Sequence, residues 1–201
     1  MIENNKKQDC CGCAACAAVC PKDLIVMKED EEGFPYPKVD KEKCINCGVC
    51  EEVCPILHTK KEELFEQTAY IVQNKDATVL RESTAGGAFT AIAKYILHNN
   101  GVVFGVELGQ DLAVRHIAVE AESELYRFRN SKYVQSSLRG GTYRQIKSFL
   151  EQGRFVCFSG TPCQIEGLKS FLKKDYHNLI TVDVVCRAVP SPLIFRKYVE
   201  Y

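Results

Sequence analysis

The sequence lacks an excess of charge of either sign, because 26 Lys and Arg residues balance 26 Asp and Glu residues. A nucleic-acid-binding surface needs clustered basic residues, so this balance argues against nucleic acid as a partner. The sequence also lacks any apolar run near the roughly 20 residues that span a bilayer. Its first nine residues are polar and lack the apolar region of a secretory signal. We therefore expect a cytoplasmic protein with no membrane span.

Cysteine is abundant, but only near the N-terminus. Of twelve cysteines, nine lie in the first 54 residues, and Cys157, Cys163 and Cys186 lie far downstream. In a small secreted protein such a density indicates disulfides. In a chain without a secretory signal it indicates a metal site.

Three segments differ in composition. Residues 1–58 are rich in cysteine and contain an internal repeat, 59–68 form a charged linker, and 69–201 alternate apolar runs with amphipathic stretches. In the third segment we predict strands over 69–73, 102–108, 113–119, 155–158 and 179–185, and helices over 86–97, 142–150, 163–172 and 192–201. The strand–helix–strand order implies parallel pairing with right-handed crossovers. We predict a small cysteine-rich domain, followed by an α/β domain with a mixed, largely parallel sheet.

The repeat in the first segment is a four-cysteine motif, C-x2-C-x2-C-x3-C-P, that occurs twice. In bacterial ferredoxins with this spacing, three thiolates bind one [4Fe–4S] cluster and the fourth binds the other cluster. Gly12 and Gly48 lie where the backbone must pass close to a cluster. We therefore predict an α+β ferredoxin-like 2[4Fe–4S] domain with two ligand sets: Cys10, Cys13, Cys16 and Cys54 for cluster one, and Cys20, Cys44, Cys47 and Cys50 for cluster two.

A zinc site and a disulfide framework both fit this pattern less well. A zinc ribbon needs only two C-x2-C pairs around one ion, and a disulfide framework does not require two identical spacings that each end in Cys-Pro. Cys11 falls outside the spacing and is interpreted as a bystander. His58 is interpreted as a surface residue.

Two downstream stretches carry polar groups at predicted helix starts. The loop over 83–89 contains Ser83, Thr84, Gly86 and Gly87, and it either binds an anion such as a nucleotide pyrophosphate or is a plain N-cap whose glycines allow close packing. Cys163 follows a buried strand and opens a helix, where it is a ligand, a redox thiol or a small buried residue. Cys186 ends the next strand at the same edge of the sheet, where ligands bind in open α/β sheets. Cys157 lies mid-strand and is interpreted as core.

Five stretches together resemble a known family: 83–89, 131–136, 159–164, 183–186 and 189–192. In this order they are similar to the coenzyme F-420 hydrogenase/dehydrogenase beta-subunit family, whose members are iron–sulfur flavoproteins. The resemblance implies that FAD exchanges electrons between the clusters and a two-electron partner such as the deazaflavin. It also implies that Ser83, Thr84, Gly86 and Gly87 approach the flavin phosphates, and that Lys132 and Tyr133 lie near the flavin or substrate.

The resemblance further implies that Cys163 and Cys186 supply two ligands of a third [4Fe–4S] cluster. The family's remaining ligands come from a later C-x2-C motif, and this sequence reaches Tyr201 without one. We therefore expect a chain shortened at its C-terminus, whose third cluster forms only if the missing ligands are supplied.

Three functions follow from these features. The first is a flavin-dependent iron–sulfur oxidoreductase or subunit, in which one-electron clusters feed a two-electron flavin. The second is a non-catalytic two-cluster relay that docks on a partner enzyme. The third, a thiol reductase based on Cys163, lacks a second cysteine in a C-x2-C around it. The expected partner is a redox protein or a small two-electron carrier, and association with a like or unlike chain stays open.

Overall fold

The computed structural model describes Ile2 and residues 7–58, 66–138 and 141–201. In chain order the helices are α1 (Ala15–Val19), α2 (Val49–Glu52), α3 (Ala77–Arg81), α4 (Ala88–His98), α5 (Thr142–Glu151), α6 (Pro162–Leu172) and α7 (Pro192–Glu200). The strands are β1 (Ile25–Glu29), β2 (Pro35–Val39), β3 (Val102–Leu108), β4 (Val114–Val119), β5 (Val156–Gly160) and β6 (Leu179–Asp183). Short 3-10 helices cover Lys7–Asp9 and Glu122–Phe128.

The larger sheet has the strand order β4-β3-β5-β6. β3 pairs antiparallel with β4, whereas the β3–β5 and β5–β6 pairs are parallel. This arrangement confirms the predicted mixed, largely parallel sheet. The carboxyl ends of β5 and β6 lie side by side, with Gly160 in register with Asp183. Residues that follow these two strands therefore gather at one edge of the sheet.

Two helix starts carry well-formed caps. The Ser191 hydroxyl accepts a hydrogen bond from the Ile194 amide, and Pro192 occupies the first turn of α7. At the start of α6, Thr161 and Gln164 form a reciprocal capping box. The second start matters for function because it fixes the position of Cys163.

The predicted strand over 69–73 is wrong. These residues form no regular structure, and Tyr70 and Ile71 are exposed. The segment is held instead through the Asn74 amide, which donates to the Gly86 carbonyl at 2.7 Å. Alternating apolar residues favour a strand, but a strand also needs a second strand to pair with. The sheet ends at β4 and β6, and neither of these strands pairs with this segment. Most of the predicted linker, 59–65, lies outside the described residues.

The N-terminal part consists of α1, the β1–β2 hairpin and α2. The hairpin is antiparallel, and its turn is closed by Asp30, whose carboxylate accepts hydrogen bonds from the Glu32 and Phe34 amides. Gly33 in this turn has φ +81°, and a Cβ there would lie 2.2 Å from the Leu193 Cβ of α7. The turn and α7 therefore pack without a gap.

One hydrophobic core joins the N-terminal part to the α/β part. Its buried members include residues from and beside α1 and α2 together with residues of β3, α5, β5 and α6. Ala15 and Val53 from the first part are as fully buried as Phe104 and Leu168 from the second. The cysteine loops are thus attached to α5 and α6 through apolar burial.

Candidate iron–sulfur site

The two cysteine loops share an unusual backbone. Gly12 and Asn46 occupy equivalent positions in the two repeats and have φ of 68° and 51°. Ala14 and Gly48 are the next equivalent pair, with φ of 60° and 76°, and each is the N-cap of the helix that follows. A residue other than glycine in this region costs roughly 1–2 kcal/mol. Because the backbone conformation is the same at equivalent positions, we infer that the two loops enclose the same kind of bound group.

The helix that follows each loop separates the fourth cysteine from the first three. Cys16 lies in α1 and Cys20 is its C-cap, while Cys50 lies in α2 and Cys54 follows that helix. Four helical residues rise about 6 Å. This displacement carries the fourth thiol of each repeat away from its own loop.

Two cavities receive these thiols in the crossed pattern. One cavity of about 410 Å³ is lined by the first predicted set: Cys10, Cys13, Cys16 and Cys54. The other, of about 70 Å³, is lined by the second: Cys20, Cys44, Cys47 and Cys50. Each cavity thus brings together three cysteines of one repeat and the fourth of the other.

The cavities differ in exposure. Cys13 and Cys16 of the first cavity are buried, and burial raises the pKa of the Cys16 thiol to about 12. Burial also raises the pKa of Cys10. The second cavity lies at the surface, with Cys47 exposed. A bound metal centre favours deprotonated thiols, so metal binding would overcome the cost of ionising the buried set.

The thiols surround their cavities and do not meet at a point. Across residues 7–58, 66–138 and 141–201, no three His, Cys, Asp or Glu side chains converge closely enough to hold a single metal ion. A tetrahedral zinc ion needs sulfurs about 2.3 Å from the metal. Four thiols that line one cavity suit a multi-iron cluster better than a single zinc ion. The residues present therefore fit [4Fe–4S] clusters.

Arg144 of α5 anchors α1 beside these cavities. Its guanidinium donates to the Ala18 carbonyl at 2.6 Å and to the Cys20 carbonyl at 2.9 Å, and it pairs with Asp23 at 2.6 Å. The last carbonyls of a helix lack partners within the helix, and a cation there also interacts favourably with the helix dipole. α5 thereby fixes the backbone around Cys20.

Cys11 makes a contact that the spacing pattern did not reveal. The neighbouring Cys13 thiol and burial raise the pKa of the Cys11 thiol to about 12, and the Cys163 thiol is near enough to oppose this rise. Cys163 lies in the first turn of α6, where its sulfur is 3.2 Å from the Thr161 hydroxyl. Because Cys11 and Cys163 are far apart in the sequence, no short motif could have indicated the contact.

The loop with the predicted flavin-phosphate residues is largely engaged in its own packing. The Ser83 hydroxyl donates to the Val79 carbonyl at 2.6 Å. A Cβ on Gly86 would lie 2.1 Å from the Val72 carbonyl oxygen, and Gly87 has φ 70° as the N-cap of α4. These glycines therefore have a packing role.

The predicted Lys132 and Tyr133 lie close to this loop. The Thr84 hydroxyl donates to the Asn130 side chain at 3.1 Å, which joins the two loops. The Lys132 ammonium donates to the Arg127 and Arg129 carbonyls, and burial lowers its pKa to about 8. Tyr133 is exposed. Neither of the two thiol-lined cavities includes these residues in its lining.

A buried polar network supports the loop that leads into α6. His116 is 6% exposed, its Nε2 donates to the Ser159 carbonyl at 3.0 Å, and its Nδ1 accepts from the Ser136 hydroxyl at 3.3 Å. The Gln164 side chain donates to Ser136 and accepts from the Thr161 amide. Burial lowers the pKa of His116 to about 4. Sequence reasoning missed His116 because a single histidine in a strand carries no motif.

The remaining predicted residues lie as follows. Cys186 is half-buried just beyond β6, at the sheet edge where α6 begins. Cys157 is fully buried in the sheet, which confirms its core role, and His58 is exposed, which confirms its surface position. In the part of the chain that the structure describes, none of the helices combines the length and apolar character needed to cross a bilayer.

Comparison with known proteins gives two family matches. Residues 9–56 match the 4Fe-4S dicluster domain, and residues 153–201 match the C terminus of the coenzyme F420 hydrogenase/dehydrogenase beta subunit. The F420-reducing [NiFe] hydrogenase complex from Methanosarcina barkeri is similar at 19% identity with a TM-score of 0.40, over 48% of this chain and 35% of that chain. This chain therefore spans about a third of that protein's length. No curated protein matches it.

These matches confirm the resemblance inferred from the sequence. The dicluster match supports two [4Fe–4S] clusters in the N-terminal part. The second match covers β5, α6, β6 and α7, the elements that carry Cys163 and lead to Cys186. The chain thus resembles the 4Fe-4S dicluster domain over residues 9–56 and the C terminus of the coenzyme F420 hydrogenase/dehydrogenase beta subunit over residues 153–201.

Proposed function

We propose that the chain transfers single electrons through two [4Fe–4S] clusters bound by the crossed cysteine sets. The observation that carries this proposal is the lining of the two cavities, each with one complete set of four thiols. When bound, such clusters accept and release one electron each at potentials tuned by hydrogen bonds and burial.

The two cavities suit different ends of an electron path. The second cavity, beside exposed Cys47 and Ile45, is where an external redox protein can approach. The first cavity is lined by buried Cys13 and Cys16, and Cys13 packs against Gly167 of α6, where an added Cβ would lie 2.8 Å from the Cys13 Cβ. We propose that electrons enter or leave through the second site and exchange with the α/β part through the first.

A flavin-dependent oxidoreductase is the second candidate, and it concerns the α/β part. The Thr84–Asn130 hydrogen bond supports it, because it joins the two loops whose family counterparts approach flavin. The N-terminus of α4 also has no side-chain cap, which leaves amide groups for a phosphate. However, the Ser83 hydroxyl already donates its proton to a backbone carbonyl and must exchange that partner before it can donate to FAD, while Lys132 keeps one N–H beyond its two carbonyl contacts.

The beta-subunit match supports a partner protein for either candidate. In the first, the α/β part is a docking platform for an enzyme that supplies the two-electron chemistry. In the second, the chain itself exchanges electrons with a two-electron carrier such as a deazaflavin. The third-cluster role of Cys163 and Cys186 stays a prediction that requires ligands from elsewhere.

Anaerobic purification followed by iron, sulfide and flavin analysis tests these proposals together. The two-cluster proposal predicts about eight irons per chain. Substitution of buried Cys157 with serine is the control and should retain the same iron. About four irons or fewer in the unmodified protein would contradict the proposal. Stoichiometric FAD would favour the oxidoreductase, whereas no flavin after incubation with FAD would favour the relay.

A further inference from the structure

We propose that Gln135, a residue of the α/β part, raises the reduction potential of the cluster in the first site. This inference rests on the proposed two-cluster function. A Cβ on Gly12 would lie 2.5 Å from the Gln135 Nε2 atom, so the side-chain amide is in direct contact with the first cysteine loop. Gly12 lies between Cys10 and Cys13, two ligands of the first predicted set.

The loop that carries Gln135 is held by the α/β part. It lies between the 3-10 helix Glu122–Phe128 and α5. The Gln135 backbone amide donates to the Pro190 carbonyl at 3.1 Å, and the Ser137 amide donates to the Val114 carbonyl at 2.9 Å. Because the backbone is bonded at both residues, the Gln135 side chain approaches the cysteine loop from a fixed position.

Helix α6 makes a second contact with the same cysteine loop. A Cβ on Gly167 would lie 2.8 Å from the Cys13 Cβ and 3.1 Å from the Cys13 Sγ. Cys13 therefore fits against α6 because residue 167 has no side chain. Gln135 and Gly167 show that the α/β part contributes to the surroundings of the first cluster site.

The two ends of the Gln135 amide have different environments. The Oε1 atom is buried, and no hydrogen-bond partner for it lies within the described part of the chain. A buried acceptor without a partner costs free energy. The other end carries two N–H groups and lies against the cysteine loop. The sulfurs of a bound cluster are negatively charged, so their attraction for the N–H groups would offset the cost of the unpartnered oxygen.

The amide acts differently on the two redox states of a cluster. A reduced cluster carries one more negative charge than the oxidised cluster, so nearby N–H groups stabilise the reduced form more. Hydrogen bonds and charge beside the sulfurs are among the factors that determine cluster potentials. Because Gln135 contacts the first loop, the cluster in the second site should be little affected.

Redox titration of the anaerobically purified full chain, followed by electron paramagnetic resonance, tests the proposal. Gln135→Met keeps the length of the side chain and removes the amide. At a fixed solution potential, the ratio of reduced to oxidised first cluster should fall about fivefold, which is the typical worth of one hydrogen bond. Gln145→Met, which replaces an exposed glutamine of α5, is the matched control and should leave both clusters unchanged.

Two single-cluster backgrounds assign the shift to one site. In Cys47→Ala, which removes a ligand of the second set, Gln135→Met should lower the potential of the remaining cluster. In Cys13→Ala, which removes a ligand of the first set, it should have no effect. No shift in either background, an equal shift in both, or a shift in Cys13→Ala alone would overturn the proposal.

Gln135→Glu keeps the test decisive if Gln135→Met retains less iron than the unmodified protein. The glutamate has the same shape but places a negative charge beside the loop, so it should lower the potential of the first cluster further than Gln135→Met does. An unchanged potential in Gln135→Glu would also overturn the proposal.

Iron analysis of the same samples separates this inference from the proposed function. About eight irons per chain with unmoved potentials in both Gln135 variants would contradict the role of Gln135 and leave the two-cluster function intact. About four irons or fewer in the unmodified protein would contradict the two-cluster function, and this inference with it.

Discussion

Mild acid should destabilise the folded protein through one buried imidazole, that of His116. The ring is 6% exposed, stacks on Phe158 at 5.1 Å between ring centres, and uses both nitrogens in hydrogen bonds to Ser159 and Ser136. In the neutral ring Nε2 carries the proton and donates to the Ser159 carbonyl, so Nδ1 accepts from the Ser136 hydroxyl. Protonation would place a desolvated charge in the core and remove that acceptor.

The size of the effect follows from the pKa of His116, which burial lowers from 6.5 to about 4. The unfolded chain then binds more protons than the folded one between these values, so stability falls as the pH falls below 6.5. Linkage gives a loss of about 2 kcal/mol between pH 7 and pH 5, and about 3 kcal/mol by pH 4. Above pH 7 this group adds no further stability.

Denaturant unfolding at a series of pH values measures this loss. His116→Gln is the matched variant, because a glutamine amide can still donate to the Ser159 carbonyl but does not titrate. Acid effects on the clusters are common to both proteins and cancel in the difference. The unmodified protein should lose about 2 kcal/mol more than the variant between pH 7 and pH 5. Parallel pH curves for the two proteins would refute the reasoning.

Two further predictions concern the contacts that attach the N-terminal part to α7 and α5. Gly33→Ala should lower the free energy of unfolding by roughly 1–3 kcal/mol more than Gly153→Ala. Both glycines have positive φ, but only at Gly33 would the new Cβ clash with Leu193. Equal losses of unfolding free energy in the two variants would contradict this. Arg144→Met should cost about 1–2 kcal/mol through its lost bonds to the Ala18 and Cys20 carbonyls, whereas Lys147→Met on the same helix should change stability by less than about 0.5 kcal/mol. Thermal or denaturant unfolding checks both, and an equal effect of the two α5 variants would dismiss the anchoring role.

Local sequence patterns were enough to predict much of the fold and the positions of the cluster ligands. The repeated spacing of four cysteines indicated which thiols share a cavity, because loop length and helical rise determine where each sulfur can reach. The caps at Thr161 and Ser191 and the buried apolar runs of β3 and β5 were equally local signals. Such features depend on neighbours within a few residues, which a sequence displays directly.

The missed features depend on contacts between distant residues. The segment over 69–73 has a strand-like pattern, but no strand among the described residues pairs with it. Cys11 and Cys163 come close because α1 packs on α6, and His116 is held between Ser159 of β5 and the loop that contains Ser136. Tertiary packing sets these contacts, and neither spacing nor periodicity records them.

Iron content of paired cysteine variants tests the crossed cluster sites most directly. Cys13→Ala with Cys54→Ala removes two ligands of one predicted set and should leave about four irons per chain. Cys47→Ala with Cys54→Ala removes one ligand from each set and should leave close to none. The reverse result, about four irons in the second pair and none in the first, would contradict the crossed arrangement.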